Sequence, residues 1–288
     1  MASQVTFLET LEYRRFAEFC DACRQYRYIG LCYGLPGVGK TLSAWHYAQW
    51  DLIKTYFPER FYDAYRPQYI EKIITETIAT NLVPLLPEIR SCRSVLYTPA
   101  VTNTPKRIEQ EIQALRLALS YLVDAIHPEP KRGQEHVFHR ALIDPTDLII
   151  VDETDRLKTA ALEQIRDIYD HSHVGMVLIG MSGLEKRLSR YAQLYSRVGF
   201  VHEFRPLNSE ESQLFLQRQW TQWGLTLQSD NVAEVEAVAA IIRITNGNFR
   251  LLNRLLAQIE RIVHINALRI ISKEVVEIAR QQLVIGSN

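Results

Sequence analysis

The stretch YGLPGVGKTLSAW, from Tyr33 to Trp45, decides how the rest of the chain is interpreted. Within it, Gly34 to Thr41 matches the pattern GxxxxGK[ST] at every fixed position. The β-rich run RYIGLCYG precedes this segment, and KTLSAWHYAQWDLI, with apolar residues at helical spacing, follows it. The stretch therefore predicts a buried strand, a glycine-rich loop and a helix in succession.

A loop of this kind binds phosphate groups. Its glycines let the backbone curl so that N–H groups point at phosphate oxygens. In such a loop Lys40 is expected to reach the β- and γ-phosphates, and the Thr41 hydroxyl is an expected ligand for Mg²⁺. The alternative is a turn that only connects strand to helix, which the lysine, the threonine and the flanking pattern disfavour. The predicted cofactor-binding residues are Gly34, Leu35, Pro36, Gly37, Val38, Gly39, Lys40, Thr41 and Leu42.

A second motif, LIIVDETDRL from Leu148 to Leu157, is an apolar run that ends in two acids. Asp152 is predicted to bind the magnesium directly or through water, so Thr41 and Asp152 are the expected metal ligands. Glu153 is predicted to position or deprotonate the attacking water. A strand end with solvated acids is the alternative. Because no guanine-selecting N/TKxD is found, the expected cofactors are ATP and Mg²⁺.

The remaining patterns predict an α/β fold with a helical C-terminal domain. Apolar runs that alternate with helical patterns indicate a parallel sheet covered on both faces. The five strand segments are RYIGLCYG, SVLYTPAV, DLIIVDE, VGMVLIGMSG and RVGFVHEFRPL. Beyond them every pattern is helical, with predicted N-caps at Ser209, Asn231, Asn248 and Ser272. We place the boundary near Leu207, which gives a core with an N-terminal helix over 1–207 and a helical domain over 208–288.

Composition narrows the function classes. Lys plus Arg and Asp plus Glu both total 33, and a formal net charge of zero argues against coating nucleic acid by bulk charge. A local basic stripe stays open. The longest apolar runs are far too short to span a bilayer, and the N-terminus lacks the features of a signal peptide, so a cytoplasmic location is expected. Cys20 and Cys23 form a CxxC pair in a helical pattern without a second ligand pair, which favours reduced, partly buried thiols over a metal or redox site.

These motifs resemble the AAA+ ATPases over nearly the whole chain. The similarity covers the Walker A loop, the Walker B segment IIVDE, the strand VLIG and a helical lid with TNGNFRLLNRLL. The resemblance implies a P-loop core, ATPase activity and a sensor 2 arginine at Arg250, whose alternative is a helix-surface arginine. It also implies a homo-oligomer in which Arg197, or else Arg190, acts on the neighbouring subunit. Ser182 stands where the family has sensor 1 Asn or Thr, and without that role hydrolysis is expected to be slow.

Within that family the segment DETDRLKTAALEQIRDIYDHSHVGMVLIGMSGLEKRL resembles transposition regulators of the TnsC, TniB and MuB type. The resemblance implies a ring or helical filament on duplex DNA that marks a target site and recruits a transposase, with hydrolysis driving disassembly. A target-selection protein is a further implied partner. The matching DNA-contact positions are Asn103, Thr104, Lys106 and Arg107, with Lys131 and Arg132 as weaker candidates. For these positions a helix cap with solvated basic residues is the alternative.

Two other functions stay open from the residues. One is a different small AAA+ ATPase of the secretion or helicase-loading type, which predicts rings or partner binding without DNA filaments. The other is a nucleotide-gated binding switch that barely hydrolyses ATP, which the unusual Ser182 position favours.

Overall fold

The protein is described by a computed structural model that covers residues 7–57, 67–80, 87–126, 142–225, 227 and 230–283. Its contacts divide the chain into two compact units. The sheet unit comprises 15–33 and 41–203, and the helical unit comprises the described parts of 1–14, 34–40 and 204–288. The glycine-rich loop therefore groups with the C-terminal helices, although it directly follows a strand of the sheet.

The sheet contains five strands in the order β2-β3-β4-β1-β5. Their bounds are Ile29–Gly34 (β1), Ser94–Tyr97 (β2), Leu148–Val151 (β3), Gly175–Met181 (β4) and Val198–Glu203 (β5). The pairs β2–β3, β3–β4 and β1–β5 are parallel. β2 and β3 are buried throughout, which explains why each is a continuous apolar run in the sequence rather than an alternating one. The predicted five-stranded parallel fold is confirmed.

Helices alternate with these strands. Before and within the sheet unit they are Leu11–Tyr26 (α1), Lys40–Tyr47 (α2), Trp50–Ile53 (α3), Pro67–Thr80 (α4), Pro105–Ala125 (α5), Thr159–Ser172 (α6), Leu184–Leu188 (α7) and Ala192–Tyr195 (α8). Two strand glycines let α1 approach the sheet closely. A Cβ at Gly30 would lie 2.3 Å from the Cys23 Sγ, and one at Gly175 would lie 2.4 Å from the Cys23 carbonyl oxygen. Any larger residue at either position would push this helix off the sheet.

The four cysteines are reduced thiols and are buried. Burial raises the pKa of the Cys23 thiol to about 12 and that of Cys92 to about 11. The pKa of Cys20 is also raised, first by burial and then by the neighbouring Cys23. Because the thiolate is the reactive form, these side chains are poor nucleophiles and pack as small apolar groups.

The helical unit contains Ser209–Gln222 (α9), Val232–Thr245 (α10), Phe249–Ile265 (α11) and Lys273–Gln281 (α12). Their buried faces form one core that includes Trp220, Ile241, Leu255 and Val276. The predicted cap at Ser209 is wrong by one residue. Asn208 caps α9, because its side chain accepts from the Glu211 N–H at 2.8 Å and the Glu211 carboxylate accepts from the Asn208 N–H at 3.0 Å. This reciprocal pair is a capping box, a pattern that places the cap three residues before the glutamate.

Contacts divide the chain after Glu203, whereas the sequence pattern places a boundary near Leu207. The close approach of Gly34 and Phe204 accounts for part of the difference, because a Cβ at Gly34 would lie 2.3 Å from the Phe204 carbonyl oxygen. The division into a core over 1–207 and a helical domain over 208–288 stays a prediction. None of the helices in the described part of the chain is both long and apolar enough to cross a membrane. The cytoplasmic location stays a prediction.

Candidate nucleotide-binding site

The glycine-rich loop has the backbone that phosphate binding requires. Gly37 has φ of 81° and Gly39 has φ of 112°, both in the region that side-chain-bearing residues rarely adopt. Between them Val38 is buried at 3% exposure, while Leu35 is 53% exposed. Successive peptide groups therefore turn through a tight curve that is anchored by one apolar side chain. Such a curve directs backbone N–H groups toward a common point, where an anion binds.

Lys40 begins α2, and its side chain bends back over the loop. Its Nζ donates hydrogen bonds to the carbonyl oxygens of Gly34 at 2.7 Å and Leu35 at 2.8 Å. The residue is only 8% exposed. A buried ammonium needs such acceptors, and a charged phosphate oxygen would be a stronger acceptor than either carbonyl. The structure thus places the lysine charge at the loop, and its contact with phosphate stays a prediction.

The N-terminus of α11 contacts the same loop. Asn248 Nδ2 donates to the Pro36 carbonyl oxygen at 2.8 Å, and the Arg250 N–H donates to the Gly37 carbonyl oxygen at 2.9 Å. Arg250 therefore lies in the first turn of α11, next to the loop, with an exposed side chain. Its predicted contact with a γ-phosphate stays a prediction. The loop contacts of Asn248 were missed by sequence reasoning, which assigned this residue only a cap.

The second half of the predicted site lies in the sheet unit. Thr41 Oγ1 donates to Asp152 Oδ2 at 2.7 Å, which brings the two predicted magnesium ligands into direct contact. Asp152 is 3% exposed, and its other oxygen accepts from the Glu153 N–H at 2.8 Å. A carboxylate this deeply buried is stable only with such partners. Thr41 directly follows Lys40, so the chain itself joins this pair to the phosphate loop.

Glu153, the predicted base, adopts a left-handed backbone conformation with φ of 48° and forms an ion pair with Arg156. Arg156 also donates to the Pro99 carbonyl oxygen at 2.9 Å. Its own carbonyl oxygen accepts weakly from Asn103 Nδ2 at 3.4 Å. Arg156 therefore links Glu153 to the segment after β2. Sequence reasoning missed this role, although the spacing of three residues in DETDR was a usable signal.

Ser182, the sensor 1 candidate, lies in the exposed turn directly after β4. The register pairs Val151 of β3 with Leu178 of β4, so Glu153 and Ser182 follow neighbouring strands at the same edge of the sheet. Asp155 fixes the end of β4, since its Oδ2 accepts from the Met181 N–H at 2.7 Å. The position fits a polar group near the predicted base, and the role stays a prediction.

Arg197, the first arginine-finger candidate, is engaged inside its own chain. Its Nε and Nη2 donate to the two oxygens of Asp170 at 2.8 Å and 2.9 Å, and its Nη1 donates to the Gln193 carbonyl oxygen. The guanidinium of Arg197 lowers the pKa of Asp170, to which Arg166 also contributes. A finger role for Arg197 would require this bidentate pair to break. Arg190, the second candidate, is exposed, and the trans-acting role of either arginine stays a prediction.

Three of the four predicted DNA-contact residues that the structure describes also have structural tasks. The Thr104 hydroxyl accepts from the Arg107 N–H at 3.3 Å and caps α5, and Asn103 Nδ2 donates to the Ala100 carbonyl oxygen at 2.8 Å. Arg107 Nε donates at 2.7 Å to Glu111, a 4% exposed carboxylate. Lys106 is exposed in the first turn. A helix cap therefore accounts for Thr104, whereas contact of this segment with DNA stays a prediction. Lys131 and Arg132 lie outside the described residues.

Comparisons with known proteins agree with this geometry. A family model described as an AAA domain matches residues 23–188. A "potential ATP-binding protein" from Staphylococcus aureus is 44% identical over 288 residues, which cover 99% of both chains. The "Mu-like prophage FluMu DNA transposition protein B" from Haemophilus influenzae is 24% identical over 255 residues, which cover 86% of this chain and 70% of that one.

Solved structures with the same fold include two DNA-associated proteins. The Aeropyrum pernix ORC1 protein in complex with DNA has a TM-score of 0.54 and 15% identity, covering 98% of this chain and 68% of that one. The Thermotoga maritima RuvB Holliday junction branch migration motor has a TM-score of 0.51 and 15% identity, covering 97% of this chain and 71% of that one. At such identities the likeness shows the fold alone. Because the AAA model matches more than half of the chain and the Staphylococcus relative nearly all of it, the chain belongs to the AAA+ family of ATPases, which bind and hydrolyse ATP.

Proposed function

We propose that this ATPase is a DNA-dependent regulator of DNA transposition. The observation that carries the proposal is the 24% identity to a DNA transposition protein B over 86% of this chain and 70% of that one. In this function, ATP-bound subunits assemble as a ring or helical filament on duplex DNA and mark a target site in the cytoplasm. The assembly recruits or activates a transposase, with a target-selection protein as a further partner, and ATP hydrolysis drives disassembly.

The residues at the start of α2 and directly after β3 supply the ATPase chemistry. Lys40 exchanges the Gly34 and Leu35 carbonyl oxygens for phosphate oxygens. Thr41 and Asp152 present adjacent hard oxygen atoms, 2.7 Å apart, which fit Mg²⁺. When bound there, the ion neutralises charge that develops on the phosphates. Glu153 orients the attacking water.

The remaining roles concern the γ-phosphate. Arg250 contacts it from the first turn of α11 as sensor 2, and Ser182 occupies the sensor 1 position after β4. An arginine from the neighbouring subunit completes the site. Arg190 fits this task better than Arg197, because the Arg197 guanidinium is already held by Asp170. Charge stabilisation from a neighbouring chain makes hydrolysis depend on assembly.

DNA contact is assigned chiefly to Lys106. Its side chain is exposed, whereas the charge of Arg107 is partly neutralised by Glu111 at 2.7 Å. Asn103 and Thr104 hold the segment that presents this lysine. A lysine at a helix start contacts phosphates without reading bases, so binding is sequence-independent and sensitive to salt.

The first test is negative-stain electron microscopy with a slowly hydrolysed ATP analogue, with and without duplex DNA. Filaments or stacked rings that require both components are the expected result. DNA-independent rings would refute the proposal in favour of an AAA+ ATPase of the secretion or helicase-loading type. Monomers with slow, DNA-insensitive ATP turnover would instead favour a nucleotide-gated switch.

A matched pair of variants tests the DNA contact. Lys106 and Lys273 are both exposed lysines in the first turn of a helix, α5 and α12 respectively. Lys106→Ala is expected to reduce the slope of log affinity against log salt by about 1 per subunit, since one phosphate contact is lost. Lys273→Ala should leave it unchanged. Equal slopes for Lys106→Ala and the wild type would remove Lys106 from the DNA-contact set.

A further inference from the structure

The Asn248 side chain uses both ends of its amide. Its Oδ1 accepts from the Leu251 N–H at 3.1 Å, which caps α11. Its Nδ2 donates to the Pro36 carbonyl oxygen at 2.8 Å, across 212 residues of sequence. A cap alone needs only an acceptor, which Asp, Ser or Thr also supplies. An amide adds a separate donor that a carboxylate lacks, so asparagine at this position suits a residue that caps the helix and holds the loop.

The backbone next to Asn248 makes a second bond to the loop, where the Arg250 N–H donates to the Gly37 carbonyl oxygen at 2.9 Å. This close approach of α11 leaves no space for a side chain at Gly37. A Cβ at Gly37 would lie 2.6 Å from Asn248 Oδ1 and 2.8 Å from the Arg250 Cβ. Two successive loop carbonyls, those of Pro36 and Gly37, are therefore directed at the first turn of α11.

The hydrogen bonds that hold these two carbonyl groups also fix the direction of the N–H groups that follow them, because a peptide group is planar. In a trans peptide the C=O of one residue and the N–H of the next point in opposite directions within one plane. A Pro36 carbonyl held by Asn248 therefore turns the Gly37 N–H away from α11. A Gly37 carbonyl held by the Arg250 N–H does the same for the Val38 N–H. The sequence motif assigns N–H groups of this loop to phosphate oxygens.

We infer that Asn248 is a positioning residue of the ATP site. It acts through the Pro36–Gly37 peptide, whose N–H it orients for phosphate binding, and it couples phosphate binding to the start of α11. This role differs from that predicted for Arg250, which contacts a phosphate itself. The inference concerns the ATP site alone and is independent of DNA binding.

Two substitutions separate the loop contact from the cap. Asn248→Ser keeps a good N-cap but is too short to reach Pro36, and Asn248→Asp keeps the cap acceptor but replaces the donor by an oxygen. Losing one hydrogen bond predicts about 5-fold weaker binding of both ATP and ADP for the serine variant. The aspartate variant should bind both nucleotides more weakly still, because it places a carboxylate oxygen against the Pro36 carbonyl oxygen and two acceptors repel each other. The KM for ATP should rise in parallel, while kcat changes less than about 2-fold.

The matched control is Asn231, which caps α10 through its Oδ1 and the Ala233 N–H at 3.1 Å. Asn231→Ser and Asn231→Asp make the same chemical changes at a cap in the same unit. Isothermal titration with ATP and ADP should show weakening only for the Asn248 variants. Hydrogen exchange provides a second readout, because ADP should slow exchange of the amides in the first turn of α11 in the wild type but not in Asn248→Ser.

Two results would overturn the inference. One is wild-type ATP affinity in Asn248→Ser. The other is equal weakening in Asn231→Ser, which would mean that any lost cap in the helical unit impairs the site. Since serine is a favourable N-cap, folding of Asn248→Ser is expected to survive. Its unfolding midpoint in urea should lie below that of Asn231→Ser, because only the Asn248 variant loses the hydrogen bond to Pro36.

Discussion

Replacement of Gly37 by alanine tests the geometry of the phosphate loop against that of an ordinary turn. Gly37 and Gly224 have similar backbones, with φ of 81° and 72°, and both lie in the helical unit. Alanine at a positive φ costs about 1–2 kcal/mol at either position. Among the described residues, no atom lies within 4 Å of a Cβ at Gly224, whereas a Cβ at Gly37 would lie 2.6 Å from Asn248 Oδ1.

The extra loss of stability in Gly37→Ala arises because the Asn248 side chain must move. Displacing the Asn248 side chain removes a helix cap worth about 1 kcal/mol and a hydrogen bond to Pro36 worth about 1 kcal/mol. Gly37→Ala should therefore lower the free energy of unfolding by about 3–4 kcal/mol and Gly224→Ala by about 1–2 kcal/mol. Urea denaturation without nucleotide measures both values. ATP affinity, measured in parallel, should fall only for Gly37→Ala.

Equal destabilisation by the two alanines would refute this reasoning, because it would show that the loop relaxes away from α11 at no cost. A double variant adds a check on the cause. Combining Gly37→Ala with Asn248→Ala should cost about 1–2 kcal/mol less than the sum of the single changes, since the cap and the Pro36 bond can be lost only once.

Three further predictions concern charged residues. Arg190→Ala should reduce DNA-stimulated ATP turnover by about 10³-fold if Arg190 is the trans-acting arginine. Arg197→Ala should instead mainly lower the melting temperature. If Arg197→Ala abolished turnover at an unchanged melting temperature, the assignment would be reversed. Arg156→Ala frees Glu153 and should raise basal hydrolysis by about 2- to 5-fold, as expected for an ion pair worth up to ~1 kcal/mol; a lower rate would show that Arg156 holds Glu153 in its working position. Asp170 has a pKa lowered below its ordinary 3.8 by Arg197, so its stabilising effect is complete above that value and is lost as the pH falls through the lowered pKa. Denaturation curves at pH 5 and pH 3 should accordingly show a larger loss for the wild type than for Asp170→Asn, and equal losses would contradict the shift.

The sequence predicts the sheet and both halves of the ATP site because their signals are local. The pattern from Gly34 to Thr41 is contiguous, and LIIVDE combines a fully buried strand with its polar end. The five apolar runs are each short and bounded by polar or glycine-containing segments, which distinguishes them from the longer amphipathic helices. Strand order was not derivable, since nothing local says that β4 lies between β3 and β1.

The contacts that the sequence did not reveal join distant residues. Asn248 and Pro36 are 212 positions apart, and Arg197 and Asp170 are 27 apart in a segment whose motifs do not pair them. An asparagine before an apolar helix is explained by capping alone, and an arginine before a strand is explained by a resemblance alone. Only the tertiary structure shows that the first has a second partner and that the second is already held by a carboxylate.

In the proposed function, the pairing of Arg107 with Glu111 limits how tightly one subunit would bind DNA. With that charge partly neutralised inside the chain, a subunit acting through Lys106 displaces about one counterion from the duplex, which gives weak binding at physiological salt. Affinity then accumulates with the number of connected subunits, as in any multivalent ligand. Ionic strength would therefore set a minimum stable assembly length. Loss of a single terminal subunit would remove only the phosphate contact that this subunit makes.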